Sequence, residues 1–170
     1  MNNTFKILSL DGGGIRGLYL ATVLRKFEEM LAYPIGEYFD MICGTSTGGL
    51  IALALSKRIP AVEIERFYIE YGPSIFPAKR FMNEPRGFLR QLFGRGKYDN
   101  RALEGSLKGV LEDTLMSQAQ NLLCIPAFNL TAGRPRVFKY PHPEGKNQFA
   151  KYGRMMDAAM ATSASNLLSS

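Results

Sequence analysis

This chain of 170 residues is poor in the residues on which metal-dependent and disulfide-rich proteins rely. It contains one histidine and two cysteines, and it has no Cys-x-x-Cys pair. A zinc centre is therefore not expected, and we predict neither a metal nor a cofactor. The two cysteines, Cys43 and Cys124, lie far apart in apolar stretches, which favours reduced, buried thiols over a disulfide framework.

Long apolar runs are also missing. No stretch of about 18 uninterrupted apolar residues is present, which argues against a membrane-spanning helix. The first residues, MNNTFKILSL, lack the basic start and the small-residue cleavage site of a secretory signal. With 46% hydrophobic residues and no internal repeat, residues 1–170 are expected to form a single domain of a cytoplasmic protein.

Positive charge is concentrated in one segment. The formal net charge is +6, and residues 79–97 contribute +5 of it through six basic residues and one acid. Because three phenylalanines are interleaved with these charges, the segment fits an anionic membrane surface or a nucleic acid, and we expect the membrane and no nucleic acid. The alternative is a solvated loop whose phenylalanines pack on the core. The candidate membrane contacts are Lys79, Arg80, Phe81, Arg86, Phe88, Arg90, Phe93, Arg95 and Lys97.

The hydrophobic periodicity alternates between strand and helix. Short apolar runs predict strands at residues 5–10, 39–45, 121–130 and 136–140. Other patterns predict helices at 15–31, 47–55, 60–68, from Asn100 onward and in the small-residue segment MMDAAMATSAS. Glycines and prolines from position 72 onward predict an irregular segment. The alternation predicts an α/β domain with a largely parallel sheet and an antiparallel addition near residues 121 to 140.

A glycine-rich loop follows the first predicted strand in KILSLDGGGIRGLYL. Its spacing, Gly12, Gly14 and Gly17, matches the G-x-G-x-x-G pattern of dinucleotide-binding proteins. Dinucleotide binding also requires an acid at the end of the second strand, but the nearest acid, Asp40, lies at the start of that strand. Consecutive glycines can instead direct several backbone N–H groups at one oxyanion, and this second function is the one we favour.

A second motif stands about thirty residues later in FDMICGTSTGGLIALAL. It has the form G-x-S-x-G between a predicted strand and a predicted buried helix, which is the context of a nucleophile elbow. Ser46 at the tip of such a turn needs small residues two positions before and after it, and Gly44 and Gly48 supply them. The pattern predicts Ser46 as a nucleophile at a helix N-terminus, beside an oxyanion loop formed by Gly12, Gly13 and Gly14 with Arg16 nearby.

Three segments in this order, DGGGIRG, GTSTGG and DAAMATSAS, resemble the patatin-like phospholipases. The stretches KYDNRALEGSLKGVLED and IPAFNLTAGRPRVFKY resemble further parts of that family. The resemblance implies a three-layer α/β/α fold, a Ser/Asp catalytic dyad with Ser46 as the nucleophile, and an oxyanion hole formed by the glycine-rich loop. It also implies hydrolysis of acyl esters in phospholipids or related lipids. Together with the basic segment at 79–97, this predicts a protein bound peripherally to membranes.

The resemblance leaves the general base unassigned. In the family, the dyad aspartate stands in an Asp-Gly motif after the ATSA element, whereas the only Asp-Gly pair here is Asp11-Gly12 in the glycine loop. We therefore expect a shortened domain with impaired activity, in which Asp157 and His142 are weaker candidates for the base. A lipid acyl hydrolase leads the hypotheses, ahead of a non-catalytic lipid-binding or regulatory module and of a nucleotide-binding protein. The sequence is compatible with a monomer and with an oligomer.

Overall fold

The computed structural model describes residues 4–75, 100–129, 131–140 and 153–163. The strands are β1 (Ile7–Leu10), β2 (Met41–Gly44), β3 (Leu122–Asn129) and β4 (Arg134–Tyr140). The helices are α1 (Arg16–Leu31), α2 (Ile35–Tyr38), α3 (Thr47–Ser56), α4 (Ala61–Ile75), α5 (Asn100–Leu111) and α6 (Met155–Ser163). A 3-10 turn, Met116–Gln118, precedes β3.

The strands form one sheet in the order β1-β2-β3-β4. The β1–β2 and β2–β3 pairs are parallel, and the β3–β4 pair is antiparallel. This sheet confirms the predicted α/β class, and it is consistent with an α/β/α fold. In register, Leu10 lies beside Gly44 and Cys43 lies beside Cys124.

The described helices pack on one face of the sheet. Both parallel connections are expected to be right-handed and both advance in the same direction, so their helices come to the same side. Burial alternates accordingly: Ile42, Leu123 and Ile125 are buried beneath the helices, whereas Ile7, on the other face, is 55% exposed. Cys43 and Cys124 lie on that other face as free, half-buried thiols rather than in the core.

Helix α3 is the centre of the domain, as its apolar sequence predicts. All ten of its residues are buried, and it contacts β1, β2 and β3 on one side and α1, α4, α5 and α6 on the others. Such a helix has no polar face because it has no contact with solvent. It therefore holds the residue that precedes it, Ser46, in a rigid setting.

Two helices differ from the sequence-based expectation. Helix α4 continues through Gly72 and Pro73 to Ile75, because Gly72 packs near Ile15 and Ile75 is buried, and this tertiary packing outweighs the lost backbone donor of proline. Helix α1 begins one residue after the predicted start and ends at the predicted residue, Leu31. Met30 is 80% exposed, although its spacing fits the apolar repeat of the predicted helix. Within the described part of the chain, no helix combines the length and the apolarity needed to cross a membrane.

Candidate active site

The glycine-rich loop and the G-x-S-x-G turn begin at the same edge of the sheet. Leu10 ends β1, Gly44 ends β2, and the two residues are paired in register. The Thr45 N–H group donates a hydrogen bond of 3.3 Å to the Leu10 carbonyl, so the two strands stay in contact as they leave the sheet. The carboxyl edge of parallel strands is where ligand sites of α/β sheets form.

Ser46 has an unusual backbone conformation at the turn into α3. Its φ is 52° and its ψ is −126°, a region that residues with a side chain seldom adopt. Such a conformation costs on the order of 1–3 kcal/mol and persists only where neighbouring contacts impose it. The strain lies at the residue that the sequence predicts to be the nucleophile.

Close packing explains the glycines around this turn. A Cβ atom on Gly44 would collide with the Gly48 carbonyl, and one on Gly48 would collide with the Leu10 carbonyl. A Cβ atom on Gly12 would lie 2.6 Å from the Cβ atom of Ser46 and against the Thr45 carbonyl. The glycine loop is therefore in direct contact with the turn that carries Ser46.

Three threonine hydroxyls join these segments. The Gly13 N–H group donates to Thr47 Oγ1 at 3.1 Å, and the Gly12 N–H group donates to Thr45 Oγ1 at 3.4 Å. The Ser46 N–H group donates to Thr162 Oγ1 at 2.9 Å. The sequence patterns predict no role for these threonines, although two lie inside G-x-S-x-G and Thr162 lies inside the ATSA segment.

Positive charge and a left-handed glycine complete the loop. Gly14 has a φ of 59°, where glycine avoids the strain of a Cβ atom. The Arg16 side chain folds back over the loop, since a Cβ atom on Gly13 would lie 2.9 Å from Arg16 Nε. The structure thus brings together all the residues predicted for the oxyanion loop and the elbow.

A general base is not in place among the described residues. There, the Ser46 hydroxyl makes no hydrogen bond to a carboxylate or an imidazole. Asp157 is exposed in the first turn of α6, and His142 lies outside the described residues, as do the candidate membrane contacts between 79 and 97. Asp40 accepts from the Lys6 N–H group at 2.7 Å at the start of β2, far from the glycine loop. The described chain also contains no cluster of three His, Cys, Asp or Glu side chains suited to a metal.

An apolar cavity of about 170 Å³ lies between α3, α4 and α5. Leu50 and Ile51, one turn beyond Ser46, form part of its wall together with Phe67 and Tyr68. The Tyr68 hydroxyl donates to the Thr47 carbonyl at 3.3 Å, and burial raises the pKa of this phenol well above its usual range. The hydroxyl therefore stays protonated and keeps donating at neutral pH.

Comparisons with known proteins identify relatives of this chain. Residues 8–167 match the family model for patatin-like phospholipases. The chain is 37% identical over 161 residues to a cGAMP-activated phospholipase of Pseudomonas aeruginosa, which covers 95% of this chain and 47% of the relative. It is 35% identical over 179 residues to a protein of the same name from Vibrio cholerae, covering 96% of this chain and 49% of the relative.

A plant relative is about as similar to this chain in sequence as the bacterial relatives are. Patatin-like protein 2 of Arabidopsis thaliana is 38% identical over 176 residues, which cover 95% of this chain and 42% of the relative. The chain therefore spans about half the length of the curated relatives it matches.

Proposed function

Because the chain belongs to the patatin-like phospholipase family, we propose that it carries the nucleophile and the oxyanion loop of a serine-dependent lipid acyl hydrolase. The substrates would be acyl esters of phospholipids or related lipids. One observation carries the proposal: Ser46 stands in a strained turn at the N-terminus of the buried helix α3, in contact with the glycine loop. Strained backbone at a residue with a nucleophilic side chain is typical of active sites.

In the proposed reaction, Ser46 Oγ attacks the ester carbonyl carbon and transfers its proton to a base. The carbonyl oxygen becomes an oxyanion, the bond to the leaving alcohol breaks as that alcohol takes up a proton, and water then hydrolyses the acyl-serine. The N-terminus of α3 and the N–H groups of the glycine loop would stabilise the oxyanion. Since the Gly12 and Gly13 N–H groups donate to threonine hydroxyls, the oxyanion would have to replace those hydroxyls or bind the Gly14 N–H group.

A site formed by the described residues alone is expected to hydrolyse lipids slowly, because it lacks a general base. A serine hydroxyl becomes a good nucleophile when a general base lies within about 2.6 to 3.2 Å, and Ser46 has no such partner in the described part of the chain. A dyad aspartate is implied only by the family resemblance. The same observation favours a second candidate, a non-catalytic lipid-binding or regulatory module of the same fold.

The proposal extends to peripheral binding at an anionic membrane surface by a cytoplasmic protein. Its support is the net charge of +5 and the three phenylalanines in residues 79–97. Each basic residue near such a surface contributes about 1 kcal/mol. Sedimentation with anionic vesicles should pellet the protein at low salt, and equal sedimentation with neutral vesicles would contradict the electrostatic part.

Covalent labelling by a fluorophosphonate tests the nucleophile in the full-length gene product. We expect labelling at Ser46, located by peptide mass spectrometry, and release of fatty acid from phospholipid vesicles. Ser46→Ala should abolish both, whereas Ser74→Ala, which removes an exposed hydroxyl at the end of α4, should change neither. Persistent labelling of Ser46→Ala would refute the assignment, and lipid binding without labelling would favour the non-catalytic module.

A second variant tests the loop. Gly12→Ala would place a methyl group against the Thr45 carbonyl and the Ser46 side chain, so labelling should slow by about 100-fold, as expected when reacting groups move by about 1 Å. Gly105→Ala is the matched control, because a Cβ atom there, on the exposed side of α5, lies within 4 Å of no described atom beyond its chain neighbours and the backbone of its own helix. Unchanged labelling of Gly12→Ala would remove the glycine loop from the proposed site.

A further inference from the structure

Thr162 connects three separate parts of the fold through one hydroxyl. It accepts a hydrogen bond of 2.9 Å from the Ser46 N–H group, across 116 residues of sequence. It donates its only proton to the Pro126 carbonyl in β3 at 2.7 Å. Because the proton is committed to Pro126, the hydroxyl can only present a lone pair to Ser46. The orientation of this contact is therefore defined by β3.

The methyl group of Thr162 makes a second contact. A Cβ atom on Gly49 would lie 2.8 Å from Thr162 Cγ2, so the methyl group packs directly on the first turn of α3. A β-branched side chain is stiff about its first torsion angle, and the two substituents therefore hold each other in place. Methyl and hydroxyl together set the distance between α6 and the turn that carries Ser46.

Ser46 depends on such contacts because its backbone is strained. Its carbonyl accepts a hydrogen bond of 3.1 Å from the Leu50 N–H group, so α3 holds one side of the residue. Its N–H group precedes the helix and has no partner in α3, and Thr162 supplies that partner. With both peptide groups held, the direction of the bond from Cα to Cβ is set, and with it the range that the hydroxyl can reach.

We infer that Thr162 is a positioning residue for the Ser46 nucleophile, an inference that rests on the function proposed above. Thr162 acts through the Ser46 backbone. Its loss should lower the rate of the chemical step and leave substrate binding nearly unchanged. A displacement of about 1 Å at a reacting group costs up to about 100-fold in rate.

Steady-state hydrolysis of a p-nitrophenyl ester by the full-length gene product tests this role. Thr162→Val keeps the shape and removes the hydroxyl, and we expect kcat to fall by about 10-fold to 100-fold while KM changes by less than about 2-fold. Thr162→Ser keeps the hydroxyl and should retain most of kcat. Thr162→Ala and Thr162→Ser differ only in the hydroxyl, so this pair gives the same comparison if the valine variant does not fold.

The control is Thr22→Val, which removes a hydroxyl that donates to the Leu18 carbonyl at 2.9 Å within α1. It should leave kcat and KM unchanged, and circular dichroism confirms that each variant is folded at the assay temperature. A kcat of Thr162→Val equal to that of the wild type would overturn the inference. So would equal impairment of the serine and alanine variants, which would assign the effect to the methyl contact with Gly49. Hydrolysis that survives Ser46→Ala would instead overturn the proposed function itself.

Discussion

One carboxylate, that of Glu28, holds the starts of two helices. Its Oε1 accepts from the Ile35 N–H group at 3.0 Å, and its Oε2 accepts from the Ala61 N–H group at 2.8 Å. These residues begin α2 and α4, whose first N–H groups have no partner within their own helices. A negative charge at two helix N-termini also interacts favourably with their dipoles.

We expect Glu28→Gln to destabilise the protein. The substitution removes the charge and replaces one of the two acceptor oxygens with a donor, so the free energy of unfolding should fall by about 1–3 kcal/mol. Urea denaturation measures this loss. Glu29→Gln is the neighbouring control, since Glu29 is more exposed and pairs with Arg25 and Lys26 on the surface of α1. Equal losses in the two variants would show that Glu28 does not cap these helices.

At the scale of elements, the beginning of β3 is tied to the chain around α2 by a buried amide. Asn121 is 6% exposed, and its Nδ2 donates to the Gly36 carbonyl at 2.8 Å and to the Phe39 carbonyl at 2.6 Å. Its Oδ1 accepts from Arg58 Nη1 at 2.6 Å. All the hydrogen-bonding groups of this side chain are thus used to join segments that are distant in sequence.

Asn121→Ala should therefore lower the free energy of unfolding by more than an average truncation to alanine does. It removes three hydrogen bonds and leaves the Phe39 carbonyl without its side-chain donor, while Arg58 still donates to the Gly36 and Gln120 carbonyls. We expect a loss of about 2 kcal/mol in the free energy of unfolding. Asn129→Ala serves for comparison, because the Asn129 side chain accepts from the exposed Ala132 N–H group, three residues away, and joins no distant segments in the described part of the chain. Chemical denaturation of both should give the larger shift for Asn121. A smaller shift for Asn121→Ala than for Asn129→Ala would contradict the stabilising role of the Asn121 amide.

Local patterns predicted most elements and the residues of the candidate site. They could not predict contacts between residues that are far apart in sequence. Ser46 and its flanking glycines could be found because a sharp strand-to-helix turn restricts residue types within a few positions. The partner of the Ser46 N–H group could not be predicted, because Thr162 is 116 residues away and nothing in the sequence around Thr162 specifies what its side chain contacts. The extension of α4 past Pro73 was missed for the same reason, because packing by distant residues decides it.

At the scale of the whole molecule, the described helices leave one face of the sheet open. Ile7 is exposed there, and Met41, Cys43, Leu122 and Cys124 are only half-buried beside it. Parallel sheets are normally covered on both faces. Burial, and secondly the neighbouring Cys124 thiol, raise the pKa of the Cys43 thiol, so Cys43 stays protonated at neutral pH.

The 170-residue polypeptide should bind an amphiphilic dye that reports exposed apolar surface, such as anilinonaphthalene sulfonate, through this face. Ile7→Lys introduces a charge on the face and should lower the dye fluorescence and any self-association seen by light scattering. Ile69→Lys is the matched control, because Ile69 is 59% exposed on α4, away from the sheet. An equal decrease in the two variants would mean that the dye does not distinguish the sheet face from other exposed apolar side chains.

The backbone conformation of Ser46 has a consequence for selection experiments. At a positive φ, glycine is the residue that the fold itself would favour, because it relieves the strain and needs no side-chain space. A library enriched for heat resistance or soluble expression should therefore accumulate glycine at position 46, while a library enriched for ester turnover should retain serine. Opposite preferences at one codon would separate the requirements of folding from those of chemistry without any knowledge of the natural substrate.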